Sequence, residues 1–188
     1  MSHLLHGQRV WLSALGREDA AAIAHWDTDS VFLRLLDAAP AAPRNEDEVA
    51  RWLESARRAH DCYVFGIRLV GSDELIGWLE LDGIQWNHQT CSLGIGIGSA
   101  AHRGRGYGSE ALALALDFAF YELNLYRVAL TVFAYNHSAI ALYEKLGFVR
   151  EGVSREHLQR DGRRYDLLHY GLLRREWAAV YPPAPPLD

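Results

Sequence analysis

One heptapeptide constrains this chain more than any other stretch. Arg103-Gly104-Arg105-Gly106-Tyr107-Gly108-Ser109 is a glycine-rich turn between two regular segments. Before it, Leu93-Gly94-Ile95-Gly96-Ile97-Gly98 reads as a strand; after it, the run from Glu110 to Phe120 is a strong helix former. A chain that passes from a strand through bare glycines into a helix gathers unpaired N–H groups at the positive end of the helix dipole. Without a Cβ, the glycines let a ligand come close to the backbone. The arrangement predicts a site for a phosphorylated group. The plainer reading is a helix entry whose glycines only make the turn.

The spacing excludes two common phosphate loops. Gly94-x-Gly96-x-x-Ser99 lacks the third glycine of the dinucleotide fingerprint, and no Gly-Lys-Ser/Thr follows the turn. The pattern present is Arg-x-x-Gly-x-Gly, at Arg103, Gly106 and Gly108. Further along lies Asn136-His137-Ser138-Ala139-Ile140-Ala141-Leu142-Tyr143-Glu144-Lys145-Leu146-Gly147-Phe148. Its Ala139, Leu142, Tyr143 and Leu146 fall on one helical face. Gly147 follows as a helix stop, with Phe148 where a hydrophobic cap contact belongs.

Together the two segments resemble the GCN5-related N-acetyltransferases (GNAT), in the branch that includes ribosomal-protein N-terminal acetyltransferases and relatives acting on small amines. The likeness runs from about Arg9 to Trp177, nearly the whole chain. It implies an α/β fold: a central, splayed, mixed β-sheet flanked by helices, the acyl-CoA N-acyltransferase fold. In that family the sheet opens between the strand before the loop and the strand after its helix, admitting the pantetheine arm of acetyl-CoA. The resemblance places coenzyme contacts at the backbone of Leu93, Ile95 and Ile97, along the loop at Arg103, Arg105, Gly106, Tyr107, Gly108 and Ser109, and at Asn136 and Tyr143. Tyr143 matches the tyrosine whose hydroxyl lies near the coenzyme sulfur, which makes it the candidate general acid. Its alternative is a core tyrosine on the apolar helix face. For Asn136 the alternative is a helix N-cap.

The general base is less legible. Many relatives carry an acid on the strand before the loop, where this chain has Cys91 and Ser92. Glu80 and Asp82, at the end of the preceding strand, are the nearest substitutes, and their parity puts both on one face. Either can also be a solvated strand-end carboxylate. His88, on an expected loop, is a further candidate. Trp26, Trp52, Trp78 and Trp86 are candidates for the wall of an acceptor pocket, or for core.

The expected activity is acetyl transfer from acetyl-CoA to a primary amine by direct attack in a ternary complex. The acceptor is a protein N-terminus or a small amine, with a homodimer as a further expectation. A non-catalytic acyl-CoA sensor or regulatory module is the alternative from another class, and a nucleotide-binding protein using the glycine loop is a third. The net charge of −5 argues against a general nucleic-acid surface. No apolar run approaches the ~18 residues that mark a membrane span. Cys62 and Cys91 have no CxxC neighbour, and the nine histidines form no HExxH pair, so no metal is expected. With no basic-then-apolar leader, these features point to the cytoplasm.

At 188 residues, the expectation is a single N-acetyltransferase domain over residues 1–180 and a disordered proline-rich tail over 181–188. Arg9–Ala14 reads as a strand, Arg17–Trp26 as an amphipathic helix and Val31–Leu36 as a short helix. A helix capped by Asn45 runs to near His60. Strands follow at Cys62–Val70, Glu74–Leu81 and Gln89–Ile97. The loop helix runs to about Glu122, Arg127–Phe133 is a strand, and the Tyr143 helix follows it. Phe148–Gln159 and Arg163–Leu173 are strands around the tight Asp161-Gly162 turn, their alternating charges forming a solvated hairpin.

Overall fold

The computed structural model describes residues 4–183. The expected disordered tail therefore lies mostly outside the described residues.

Seven strands form one sheet in the order β1-β2-β3-β4-β5-β7-β6. They are β1 (Val10–Ser13), β2 (Tyr63–Leu69), β3 (Leu75–Gln85), β4 (Thr90–Ile97), β5 (Arg127–Phe133), β6 (Val149–Arg160) and β7 (Arg163–Leu173). The helices are α1 (Ala20–Trp26), α2 (Ser30–Leu36), α3 (Glu46–Arg58), α4 (Tyr107–Asp117), α5 (His137–Lys145) and α6 (Arg174–Val180). Neighbouring strands are antiparallel except β4 and β5, which are parallel and joined by a crossover carrying α4.

Local chemistry explains several element ends. Asn45 Oδ1 accepts from Glu48 N at 3.0 Å while Asn45 N donates to Glu48 Oε2 at 2.8 Å, a reciprocal cap that starts α3. Asp161 and Gly162 both take positive φ, 50° and 74°, the conformation a two-residue hairpin turn requires.

Three expectations shift, and one helix is new. The helix from Arg17 divides into a 3-10 turn (Arg17–Asp19) and α1; at the junction Asp19 accepts from Gly16 N and from Arg68 Nη2. The loop helix leaves α geometry after Asp117 and finishes as a π turn over Phe118–Glu122. There Phe118 meets Tyr63 and Phe65 edge-on. β3 runs on past Leu81 to Gln85, through an irregularity between Asp82 and Gln85. Finally α6 follows β7 directly. Glu176 caps its start through Leu173 N, and Trp177 is buried, with its Nε1 donating to Asp117 Oδ1 at 2.8 Å.

Helices α4 and α5 pack against the centre of the sheet. Leu112, Leu116 and Phe120 meet Val128, Leu130 and Leu172 in one core. A second core holds α1 and α3 against Trp78 on the other side of the molecule.

Candidate active site

The β4–β5 pairing is short. It holds at Thr90↔Arg127, Cys91↔Val128 and Ser92↔Ala129, then ends, although β4 continues to Ile97 and β5 to Phe133. Beyond Ser92 the two strands diverge and the sheet opens. The antiparallel β3–β4 register runs without a shift from Gly77↔Ile97 to Asp82↔Ser92, so Gly94 and Gly96 mark no bulge against β3. Gly98 N donates to Ile76 O at 3.0 Å. Because hydrogen-bonding sides alternate along a strand, Leu93, Ile95 and Ile97 turn their backbone groups away from β3 and toward the opening.

A cavity of about 950 Å³ fills this opening. It is bordered by β4, the glycine loop, α2 and α5, and among its walls are Gly106, Tyr107, Gly108, Ser109, Asn136 and Tyr143. A smaller cavity of about 330 Å³ lies toward β5 and β7. Leu36, Glu80, Leu93, Gly94 and Thr131 border both, so Glu80 stands where the two meet.

The loop end is built from bare backbone. Gly104 and Gly106 hold φ of 72° and 83°, which glycine adopts without strain, and Gly106 is the N-cap of α4. No side chain caps the helix, so its first N–H groups remain available at the positive end of the dipole. A Cβ built on Gly108 would sit 3.7 Å from Ile97 Cγ1 and from Leu142 Cδ2, an ordinary contact. The protein itself therefore does not demand glycine at 108. An anion seated on that backbone would, which fits a phosphorylated coenzyme arm.

The two loop arginines do different things. Arg105 is exposed and does not border the cavity. Arg103 borders it but turns its guanidinium inward, donating to Ile97 O, Gly98 O and Asp29 Oδ2. The loop is held instead by a residue that sequence reasoning missed. Arg9 Nη1 donates to Arg105 O at 3.0 Å and Nη2 to Gly106 O at 3.3 Å, while Nε pairs with Glu110 Oε2 at 2.8 Å. Hydrogen bonds from Arg9 and Gln8 outweigh burial and hold the Glu110 carboxyl below its usual range. No local signal links residues a hundred positions apart.

Asn136 caps α5, its Oδ1 accepting from Ala139 N at 3.2 Å, and its Nδ2 donates to Leu35 O at 3.4 Å. Tyr143 is 6 % exposed, lies edge-on to Phe148, and borders the cavity. Burial alone pushes its hydroxyl up to about 12.

Glu80 is half-buried, and its carboxyl is raised to about 7 by burial and by the nearby charges of Asp82 and Asp37, against an opposing pull from Arg44. Cys62 and Cys91 are free thiols pushed up to about 12, by burial first and then by Asp82. That leaves them poor nucleophiles. His88 is exposed in the β3–β4 turn, outside both cavities. Trp52 and Trp78 border the main cavity and meet edge-on. Trp26 packs in the core and Trp86 is exposed, its Nε1 donating to His60 O. Among the described residues no group of three or more histidine, cysteine, aspartate or glutamate side chains is placed to hold a metal ion, and no helix is long and apolar enough to cross a membrane.

A mixed sheet that splits between its parallel strands, with an uncapped glycine-loop helix beside the split, defines the acyl-CoA N-acyltransferase fold. Residues 9–149 match the family model described as "Acetyltransferase (GNAT) domain", and the chain belongs to that family. Its fold is similar to that of spermidine N-acetyltransferase from Vibrio cholerae, solved in complex with CoA and spermine. The TM-score is 0.82 at 27% identity, covering 89% of this chain and 97% of that one. The uncharacterized N-acetyltransferase p20 of Bacillus licheniformis is 26% identical over 175 residues, 93% of this chain and 98% of that protein. YdaF of Bacillus subtilis, provisionally named a ribosomal N-acetyltransferase, is 43% identical over 60 residues. That match spans 32% of this chain and about a third of YdaF, 33%.

Proposed function

We propose that this protein is an N-acetyltransferase that moves an acetyl group from acetyl-CoA to a primary amine by direct attack in a ternary complex. The observation that carries the reading is Glu80. Its carboxyl, raised to about 7, stands where the two cavities meet, beside a strand whose backbone faces the opening.

Acetyl-CoA supplies an activated thioester. The backbone of Arg103, Gly106, Tyr107, Gly108 and Ser109 cradles its pyrophosphate, with the dipole of α4 favouring the negative charge, while Arg105 lies outside the cavity. Leu93 and Ile95 bind the arm through backbone groups left free by the splayed sheet, Ile97 joins them through its N–H because its carbonyl is taken by Arg103, and a backbone N–H there meets the developing oxyanion. Asn136 lies beside the arm. Glu80 takes a proton from the ammonium of the acceptor, directly or through water, because a base near neutral pH is matched to that task. Tyr143, protonated at any working pH because of its burial, returns a proton to the departing sulfur.

The acceptor is a peptide N-terminus or a small-molecule amine, without nucleic acid or membrane as a partner. The protein acts as one N-acetyltransferase domain over residues 1–180, in the cytoplasm, as a homodimer. The test is a panel of peptide N-termini and small amines incubated with acetyl-CoA, with free thiol detected. Amine-dependent thiol release is expected. Coenzyme binding without release for any acceptor would leave a non-catalytic sensor.

A further inference from the structure

Arg103 is the residue by which the chain most resembles a coenzyme-binding loop, yet its charge points elsewhere. Its Nε donates to Ile97 O at 2.9 Å and Nη2 to Gly98 O at 2.6 Å, while Nη1 and Nη2 both reach Asp29 Oδ2 at 3.2 Å. Four of the five guanidinium N–H groups are thus engaged. The guanidinium also lies over the Phe32 ring, 5.2 Å from its centroid. A cation matched in this way has little left for a phosphate.

Asp29 is the other half of the device. Its Oδ1 accepts from Val31 N at 3.0 Å and Phe32 N at 3.2 Å, which caps α2, and its Oδ2 takes Arg103. One carboxylate therefore starts the helix and holds the loop. Hydrogen bonds from Phe32, Arg103 and Val31 outweigh burial and keep the Asp29 carboxyl below its usual range.

Helix α2 has seven residues and cannot be stable by itself. Its C-terminal end is pinned from the β5–α5 connection and from the end of β6. Tyr135 Oη donates to Arg34 O at 2.5 Å, and Arg160 Nη2 donates to the carbonyls of Asp37, Ala38 and Ala39. Arg103 is the side chain that ties its N-terminal end. Phe32 and Leu36 close over Gly96, where a Cβ would come within 3.0 Å of the Phe32 ring, and Leu36 borders both cavities beside Glu80.

We propose that Arg103 is a positioning residue rather than a phosphate ligand: through Asp29 it transmits the order of the glycine loop to α2, so that seating the coenzyme firms the wall against which an acceptor is held. This rests on the coenzyme reading of the loop given above. The test uses CoA itself as the probe, with calorimetry for affinity and hydrogen exchange for local order. In the wild type, CoA slows exchange across both residues 103–110 and residues 31–36. In Arg103→Gln, protection of the loop persists, protection of α2 is lost, and the CoA Kd stays within about threefold of wild type. Asp29→Asn keeps an oxygen that can cap α2 while removing the charge that pairs with Arg103, and it gives the same pattern in weaker form. It also carries the test if Arg103→Gln does not fold. A loss of CoA affinity of about tenfold or more in Arg103→Gln overturns the proposal, because the guanidinium would then be a phosphate ligand. Survival of α2 protection in both variants overturns it as well. A wild-type protein whose loop CoA does not protect overturns the coenzyme reading, and the proposal with it.

Discussion

Glu80 and Gly94 face each other across β3 and β4, and a Cβ on Gly94 would stand 3.1 Å from Glu80 Oε1. The missing side chain leaves the carboxyl room at the point where the sheet opens. Burial and two neighbouring carboxylates then raise its affinity for a proton.

Glu80→Gln is therefore expected to lower acetyl transfer by about a hundredfold or more, the scale of a lost general base. In the wild type, kcat/KM should climb as pH rises through about 7, and the variant should lack that limb. Stability moves oppositely. The folded-state value lies above the ordinary 4.5, so the favourable contribution of neutral Glu80 is complete below 4.5 and lost as pH rises through about 7. Urea melts across that window should show the wild type losing stability relative to Glu80→Gln. A pH-independent difference between the two would refute the assignment.

Tyr143→Phe keeps the ring that meets Phe148 and removes the hydroxyl. Acetyl transfer should fall roughly a hundredfold while CoA affinity holds, because the proton matters only as charge develops on sulfur. With its hydroxyl at about 12, Tyr143 should add no alkaline limb to the profile near neutrality. Single-turnover rates and CoA calorimetry on the same variant separate the two effects.

Two glycines should respond in opposite ways. A Cβ at Gly108 makes only ordinary contacts with Ile97 and Leu142, so in Gly108→Ala melting should change little while CoA affinity falls. A Cβ at Gly98 would run into the Trp26 indole, so Gly98→Ala should cost about 1–3 kcal/mol of stability through overpacking. Equal thermal shifts for the two variants would count against this division.

Acetyl-CoA should raise the melting temperature, whereas ATP and NAD at the same concentrations should not. A ligand that binds only the native state adds about 2.7 kcal/mol at a hundredfold excess over its Kd. A flat profile across millimolar acetyl-CoA would remove the coenzyme site.

Much of this was legible in the chain because it depends on neighbours in sequence. Asn45 caps the helix that follows it, Asp161-Gly162 makes its own turn, and Gly106 takes a left-handed conformation at the start of α4. Such choices are set by backbone sterics and hydrogen bonds spanning three or four residues. The apolar face of α5 announced Tyr143 in the same way, since helical period alone aligns it with Ala139, Leu142 and Leu146. α6 was not read from the sequence, and its order comes from Trp177 docking on Asp117.

Only the tertiary structure decided what the charges do. Arg9 reaches Glu110 and Arg103 reaches Asp29 because β1 lies beside α4 and α2 lies beside the end of β4, pairings that no local pattern encodes. The proton affinity of Glu80 likewise depends on Asp37, brought from another element, and on water excluded by the fold. Backbone geometry is short-ranged and so written locally. Desolvation and charge pairing act between side chains that are distant in sequence, and they take their values only once the chain has folded.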